Sequence, residues 1–134
     1  MIDFDSEYFQ RITFSKKQLD QYIQSAERDL AIAGQTDIAE VIFKFSYDAL
    51  IKTGIALIAK EGYKTRSKIG HHVKILEKLS QILEDDNVLV LGNKMRQDRN
   101  IDLYSGGGHV SQKESIEYLG FVKDVFEKAR QKIT

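Results

Sequence analysis

Apolar residues recur every three to four positions through five stretches of the chain, and this spacing marks one face of an α-helix. The chain contains no proline, which would interrupt such helices. Apolar residues cover most of the circumference of the second stretch, which predicts the central, most buried helix. Alternation typical of strands extends over only a few residues. We therefore expect an all-α, antiparallel up-and-down bundle of four to five helices, forming one domain over residues 15–134 after an N-terminal arm or short extra helix over residues 1–14.

Polar residues and glycines at suitable positions mark the ends of these helices. Ser15 and Gln18 have the spacing of a capping box, in which each side chain accepts a hydrogen bond from the backbone N–H of the other residue. The other expected ends lie at Gly34, Asp37 with Glu40, Gly62, Asp85 to Asn87, and Ser111 with Glu114.

The fourth stretch breaks its own apolar pattern. Val88, Leu91 and Met95 form an apolar stripe, and Arg99 and Asp102 continue that stripe. A charge at a core position must be paired or must face a cleft, because burying it alone costs several kcal/mol or more. Concentrated breaks of this kind tend to mark functional or strained sites.

Two interpretations of this break stay open. In the functional one, Arg99 grips a phosphate in a cleft, Asn100 orients it, and Tyr104 donates a hydrogen bond, with Arg96 and Asp102 beside them. In the structural one, Arg99 forms an internal ion pair with Asp48 or Glu40 on a facing helix. Residues five apart on a helix differ by about 140° around its axis, so Arg99 and Tyr104 meet only if the helix loosens or a second subunit contributes its copy.

Three consecutive glycines, Gly106 to Gly108, follow this helix. They lack the spacing of a Walker loop, which needs Gly-Lys-Ser/Thr after four further residues, and a flexible connection is the better interpretation. Neighbouring His71 and His72 cannot easily chelate one metal ion from a helix, and His109 in the glycine loop could act as a mobile acid or base. We expect His71 to reach a cleft and His72 to be a hydrogen-bonded core residue on the stripe of Ile69, Val73 and Leu76. No metal site and no cofactor are expected.

The basic and acidic side chains number twenty each, so the formal net charge is zero. Any nucleic-acid binding must then come from a local patch. Lys64 and Arg66 belong to such a patch, with Tyr63 among them as a residue that could stack on a base, although a solvated surface explains the same pattern. The acidic start of the chain does not look like a signal peptide, and no apolar run approaches the length of a membrane span. We expect a cytoplasmic protein that does not enter membranes.

The segment MRQDRNIDLYSG resembles the late-helix motif of the HEPN domains (higher eukaryotes and prokaryotes nucleotide-binding), and the order of helices is similar over about Ser15 to Lys132. Arg99 and Asn100 match the first two positions of that motif, an arginine and a polar residue that precede a histidine by four to six residues. The glycine and histidine of SKIGHHVKIL are similar to a third-helix feature of some members. At the shortest spacing between the arginine and the closing histidine of the motif, this chain has Tyr104 in place of the histidine. His109 lies farther along the chain than the motif allows.

The resemblance implies a homodimer that binds RNA or a nucleotide at Arg99, within a toxin–antitoxin or defence module. It also implies metal-independent ribonuclease chemistry by arginine and histidine from two subunits, which Tyr104 puts in doubt because a tyrosine of ordinary pKa is a poor base at neutral pH. The alternatives are a non-catalytic partner subunit of a separate minimal nucleotidyltransferase, with Tyr104 as an acceptor, and a plain helical interaction module.

Overall fold

A computed structural model describes residues 2–133, and within them the chain forms five helices and a two-stranded antiparallel ribbon. The predicted all-α helical bundle is confirmed. In chain order the elements are β1 (Phe9–Arg11), α1 (Lys16–Gly34), α2 (Ala39–Lys60), β2 (Tyr63–Thr65), α3 (His71–Leu83), α4 (Asp86–Ser105) and α5 (Gln112–Ile133).

Helix α2 is the centre of the bundle, as its apolar circumference predicts. It packs against α1, α5, α3 and, less extensively, α4. Ile42, Phe43 and Leu50 are among its buried side chains, whereas Phe45 is only partly buried against the core. Burial covers most of the circumference of α2 and leaves only a narrow polar strip at Glu40, Lys44, Asp48 and Lys52.

The predicted caps are observed at three helix starts. Ser15 and Gln18 form the reciprocal capping box of α1, and Ser111 and Glu114 exchange the same two bonds at α5. The Asp85 side chain accepts from the backbone of Asn87 at the start of α4. The expectation for α2 was wrong, because its N-cap is Ile38, without a side-chain cap.

The ribbon was not expected from the sequence. Residues 9–11, which we expected in an arm or a short extra helix, pair with residues 63–65 in the register Phe9 to Thr65. Phe9 is buried in the core, so this strand is part of the packed structure. The segment after the ribbon leads to Gly70, the N-cap of α3. Ile69, which we expected on the buried stripe of α3, precedes this cap and is 96% exposed.

Helix α4 lies against α3 and α2 with Val88, Gly92, Met95 and Asp98 buried. Gly92 lets α4 lie close to α3, because a Cβ atom there would lie 2.8 Å from Leu76 Cδ2. The helix ends at Gly106, whose φ of 86° is accessible to glycine at little cost, and the next two glycines also have positive φ. None of the described helices has the length and apolar character needed to span a membrane.

Candidate anion-binding site between α3 and α4

A pocket of about 460 Å³ lies between the start of α3 and the middle of α4. Four residues that the sequence singled out line it, namely Arg96, Arg99, Asn100 and His71. The segment between β2 and α3 supplies another wall from Ser67 to Gly70, and α2 contributes Tyr47. We call this cavity the arginine pocket.

Arg99 has no carboxylate oxygen within 4.0 Å among the described residues, and the same holds for Arg96. The guanidinium of Arg99 instead lies over the ring of Tyr47, 5.5 Å from its centroid. Arg96 Nε donates to Asn93 Oδ1 at 3.0 Å. The predicted alternative of an internal ion pair with Asp48 or Glu40 is therefore not formed, and both cations keep unused hydrogen-bond donors.

Tyr47 and His72, which also line the pocket, contact each other through a hydrogen bond. The hydroxyl of Tyr47, a residue only 1% exposed, lies 2.9 Å from His72 Nδ1. Burial raises the pKa of Tyr47 to about 12. Burial, followed by the nearby His71 and Arg99, lowers the pKa of His72 to about 4. His72 is therefore neutral at pH 7, and the two arginines beside it favour that neutral form, which agrees with the expectation of a hydrogen-bonded histidine.

His71 lies at the wall of the pocket and is held there by the backbone of Lys68. Its Nδ1 donates to the carbonyl oxygen of Lys68 at 2.7 Å, because a carbonyl can only accept. The Nε2 atom of the same ring is left without a hydrogen-bond partner among the described residues. This geometry fits the prediction that His71 reaches a cleft.

Tyr104 and Asp102 are not brought into the arginine pocket. Helix α4 continues regularly through Tyr104, so the loosening that could turn it toward Arg99 does not occur, and Tyr104 is 87% exposed. Asp102 lines a second cavity beside the glycine loop, together with Arg99, Glu40 and Gly107, and its Oδ1 accepts from the backbone N–H of His109 at 2.7 Å.

Lys64 and Arg66 also lie outside the pocket lining. Lys64 is exposed on β2, and Arg66 Nε donates to the backbone carbonyl of Ser6 at 3.1 Å. Both residues precede the wall at Ser67, so the predicted basic patch is next to the pocket along the chain. Lys68 connects the two features at the rim, where it pairs with Glu7 at 3.3 Å.

A polar cluster on the other flank of α4 was missed by sequence reasoning. Asp98, which is buried, accepts hydrogen bonds from Tyr118 Oη at 2.6 Å and Lys94 Nζ at 3.1 Å. His109 Nε2 lies 3.3 Å from its other carboxylate oxygen. Burial alone would raise the pKa of Asp98, but the hydrogen bonds from Tyr118 and Lys94 outweigh it and lower that pKa. Tyr118 could have indicated this cluster, because a tyrosine on the buried face of α5 needs a hydrogen-bond partner for its hydroxyl.

Within residues 2–133 no group of three or more histidine, aspartate or glutamate side chains is placed to hold a metal ion. In comparisons with known proteins, no family model, curated protein or solved structure matches the chain. Two arginines with free donors, above a buried floor, suit an anion with several acceptor oxygens.

Proposed function

We propose that this protein is a HEPN-like protein that binds RNA or a nucleotide by gripping a phosphate in the arginine pocket. The supporting observation is that Arg96 and Arg99 share the pocket without a carboxylate partner within 4.0 Å among the described residues. A guanidinium presents planar pairs of N–H donors that match two phosphate oxygens. The role in a toxin–antitoxin or defence module rests on the resemblance of the Arg99 segment alone.

The test is RNA binding by fluorescence anisotropy at two salt concentrations, with thermal melts of each variant. Arg99→Ala should weaken binding at least tenfold and reduce its salt dependence, because one phosphate contact and its counterion release are lost. Arg28→Ala is the matched control, since Arg28 is an exposed arginine on α1 away from the pocket. Equal effects of the two substitutions, or no binding by wild type, would overturn the proposal.

The same assay tests the basic patch. Removing Lys64 and Arg66 together should weaken binding of a long oligonucleotide but leave binding of a mononucleotide unchanged, because neither residue lines the pocket. Unchanged affinity for both ligands would show that this patch is only solvated surface.

The outer face of α4 supports a homodimer as part of this proposal. Val90, Ile101 and Tyr104 are exposed there, and Val90 and Tyr104 each lie seven residues from Gln97. Two antiparallel copies of α4 related by a two-fold axis at Gln97 would place Val90 of one copy beside Tyr104 of the other. Arg99 follows Gln97 by two residues, or about 200° around the helix, so both arginine pockets would face away from this interface.

Light scattering with Ile101→Glu tests the dimer against Ile116→Glu on α5. The two isoleucines are similarly exposed, at 47% and 53%, so a general effect of surface charge should be equal in both. We expect only Ile101→Glu to produce monomer at micromolar concentration. A wild-type protein that is monomeric there would refute the dimer without affecting phosphate binding.

The exposure of Tyr104 favours one alternative function, that of a partner modified by a separate nucleotidyltransferase. A hydroxyl on a side chain that is 87% exposed is accessible to a second enzyme. Co-expression with a minimal nucleotidyltransferase from a neighbouring gene should then add nucleotide mass to wild type and not to Tyr104→Phe. Mass addition to both proteins, or to neither, would reject Tyr104 as the acceptor.

A further inference from the structure

The arginine pocket is an open cleft with a buried floor. Tyr47 forms a buried floor with the half-buried His72, whereas Lys68, Ile69 and Asn100 are exposed at the rim. A ligand group that enters between α3 and α4 therefore stops against the Tyr47–His72 pair.

The charge in the pocket exceeds what a singly charged group would balance. Arg96 and Arg99 contribute two positive charges without a carboxylate within 4.0 Å among the described residues, and Lys68 at the rim is shared with Glu7. The first turn of α3 faces the same space, and its Gly70 cap supplies no side-chain acceptor for the amides of that turn. The amides add to the positive potential that the arginines establish.

We infer that the arginine pocket takes a phosphate monoester, the group found on a mononucleotide and at the 5′ end of a phosphorylated RNA, in preference to the diester inside an RNA chain. This inference rests on the proposed function and specifies its ligand. A monoester carries a charge of about −1.5 to −2 at pH 7 and has only one substituent. The larger charge matches two arginines that have no carboxylate partner within 4.0 Å among the described residues, whereas a diester carries only one charge.

The size of the cavity fits a phosphate together with the sugar that carries it. Its volume of about 460 Å³ lies within the range of sites for small organic ligands. Ile69 and Val73 supply apolar surface toward the opening, and the His71 ring adds an edge with a free Nε2. The phosphate is the anchor in this arrangement, and the nucleoside makes weaker contacts at the rim.

The experiment compares one oligoribonucleotide with a 5′-phosphate against the same sequence with a 5′-hydroxyl, using the full chain. A 3′ fluorophore on both reports binding, and adenosine 5′-monophosphate, adenosine and inorganic phosphate serve as competitors. We expect the 5′-phosphorylated RNA to bind at least tenfold more tightly. The mononucleotide should compete and adenosine should not, which shows that the same pocket accepts both sources of the monoester.

Matched variants tie the preference to the pocket. Arg96→Gln and Arg99→Gln should each reduce the preference for the 5′-phosphate, whereas Arg28→Gln on α1 should keep it. Arg99→Lys retains the charge without the planar fork and should keep part of the preference, which guards against a misfolded glutamine variant. The preference should also decline below about pH 6, where the monoester takes up a proton.

The outcomes separate this inference from the proposed function. If both RNAs bind equally and Arg99→Gln weakens both, the pocket binds phosphate but the monoester preference is refuted. If the preference exists and persists in Arg96→Gln and Arg99→Gln, another surface reads the 5′ end and the inference is also wrong. If no RNA or nucleotide binds, both proposals fail together.

Discussion

The two flanks of α4 differ in how their charges are satisfied, although Asp98 and Arg99 are neighbours in sequence. Residues one apart on a helix point about 100° away from each other, so these two side chains face different surroundings. Asp98 is surrounded by Tyr118, Lys94 and His109, and each of them contacts its carboxylate. Arg99 faces a pocket that holds other cations and no carboxylate within 4.0 Å among the described residues.

This difference distinguishes a charge that holds the fold from a charge that is available to a ligand. Both side chains are partly or wholly withdrawn from water, so burial alone does not separate them. Their hydrogen-bond partners separate them. The hydrogen bonds of a paired carboxylate offset its desolvation within the chain, whereas an unpaired guanidinium keeps donors free for the acceptor oxygens of a ligand.

The largest expected difference in stability is between Asp98→Ala and Arg99→Ala. Asp98→Ala removes the acceptor of the buried Tyr118 hydroxyl and of Lys94, and should lower the free energy of unfolding by about 3 kcal/mol. Arg99→Ala loses a contact with the Tyr47 ring and should cost less than about 1 kcal/mol. Chemical denaturation measures both. Similar losses in the two variants would mean that Arg99 holds the fold, and the contrast between the flanks would be lost.

A smaller difference is expected between the tyrosines that support the two flanks. Tyr118→Phe removes a hydrogen bond to a carboxylate and should cost about 1.5–3 kcal/mol. Tyr47→Phe removes a hydrogen bond to a neutral imidazole and should cost about 0.5–1.5 kcal/mol. Both rings are buried and both substitutions keep them, so packing changes little. Denaturation midpoints that rank Tyr47→Phe as the more damaging change would reverse the assignment of the structural flank.

The sequence predicts the helices well because their signals are local. The capping boxes at Ser15 and Ser111 and the cap at Asp85 each need only residues within four positions. The ribbon was missed because its strands have three residues each, which is too short for alternation, and because its partners are more than fifty positions apart. Ile69 was misplaced for a related reason, since the ribbon holds the segment before Gly70 away from the core.

The site was predicted in part, and the errors arose because the sequence pattern does not show which residues of α4 face the neighbouring helices. The apolar stripe through Val88 and Met95 indicated that α4 has a polar break at its inner face, and Arg99 does line a pocket. The stripe could not show that Asp98, not Arg99, turns to the buried side, because that depends on Tyr118 twenty positions later. Tyr47 was missed because it lies in the apolar helix α2, where only the demand of its hydroxyl for a partner would have marked it.

The smallest expected effect is a pH dependence that separates the two flanks. The pKa of His72 is lowered to about 4 in the folded chain, mainly by burial, whereas an unfolded histidine titrates near 6.5. Between about pH 6.5 and 4 the unfolded chain therefore binds the extra proton, and stability falls as pH decreases through this window. Because His72 is only half-buried, solvent screening limits the effect to on the order of 1 kcal/mol. The lowered pKa of Asp98 acts at lower pH, since its contribution is fully present above about pH 3.9 and is lost as pH falls through its folded pKa.

Free energies of unfolding at pH 7, 6, 5 and 4 measure this dependence, with His72→Gln as the comparison. The remaining titrating groups are the same in both proteins, so the difference between them isolates His72. We expect the advantage of wild type over His72→Gln to shrink as pH falls from 6.5 to 4, while Asp98→Asn follows wild type over the same window. A constant difference between wild type and His72→Gln would show that burial beside Tyr47 does not lower the pKa of His72.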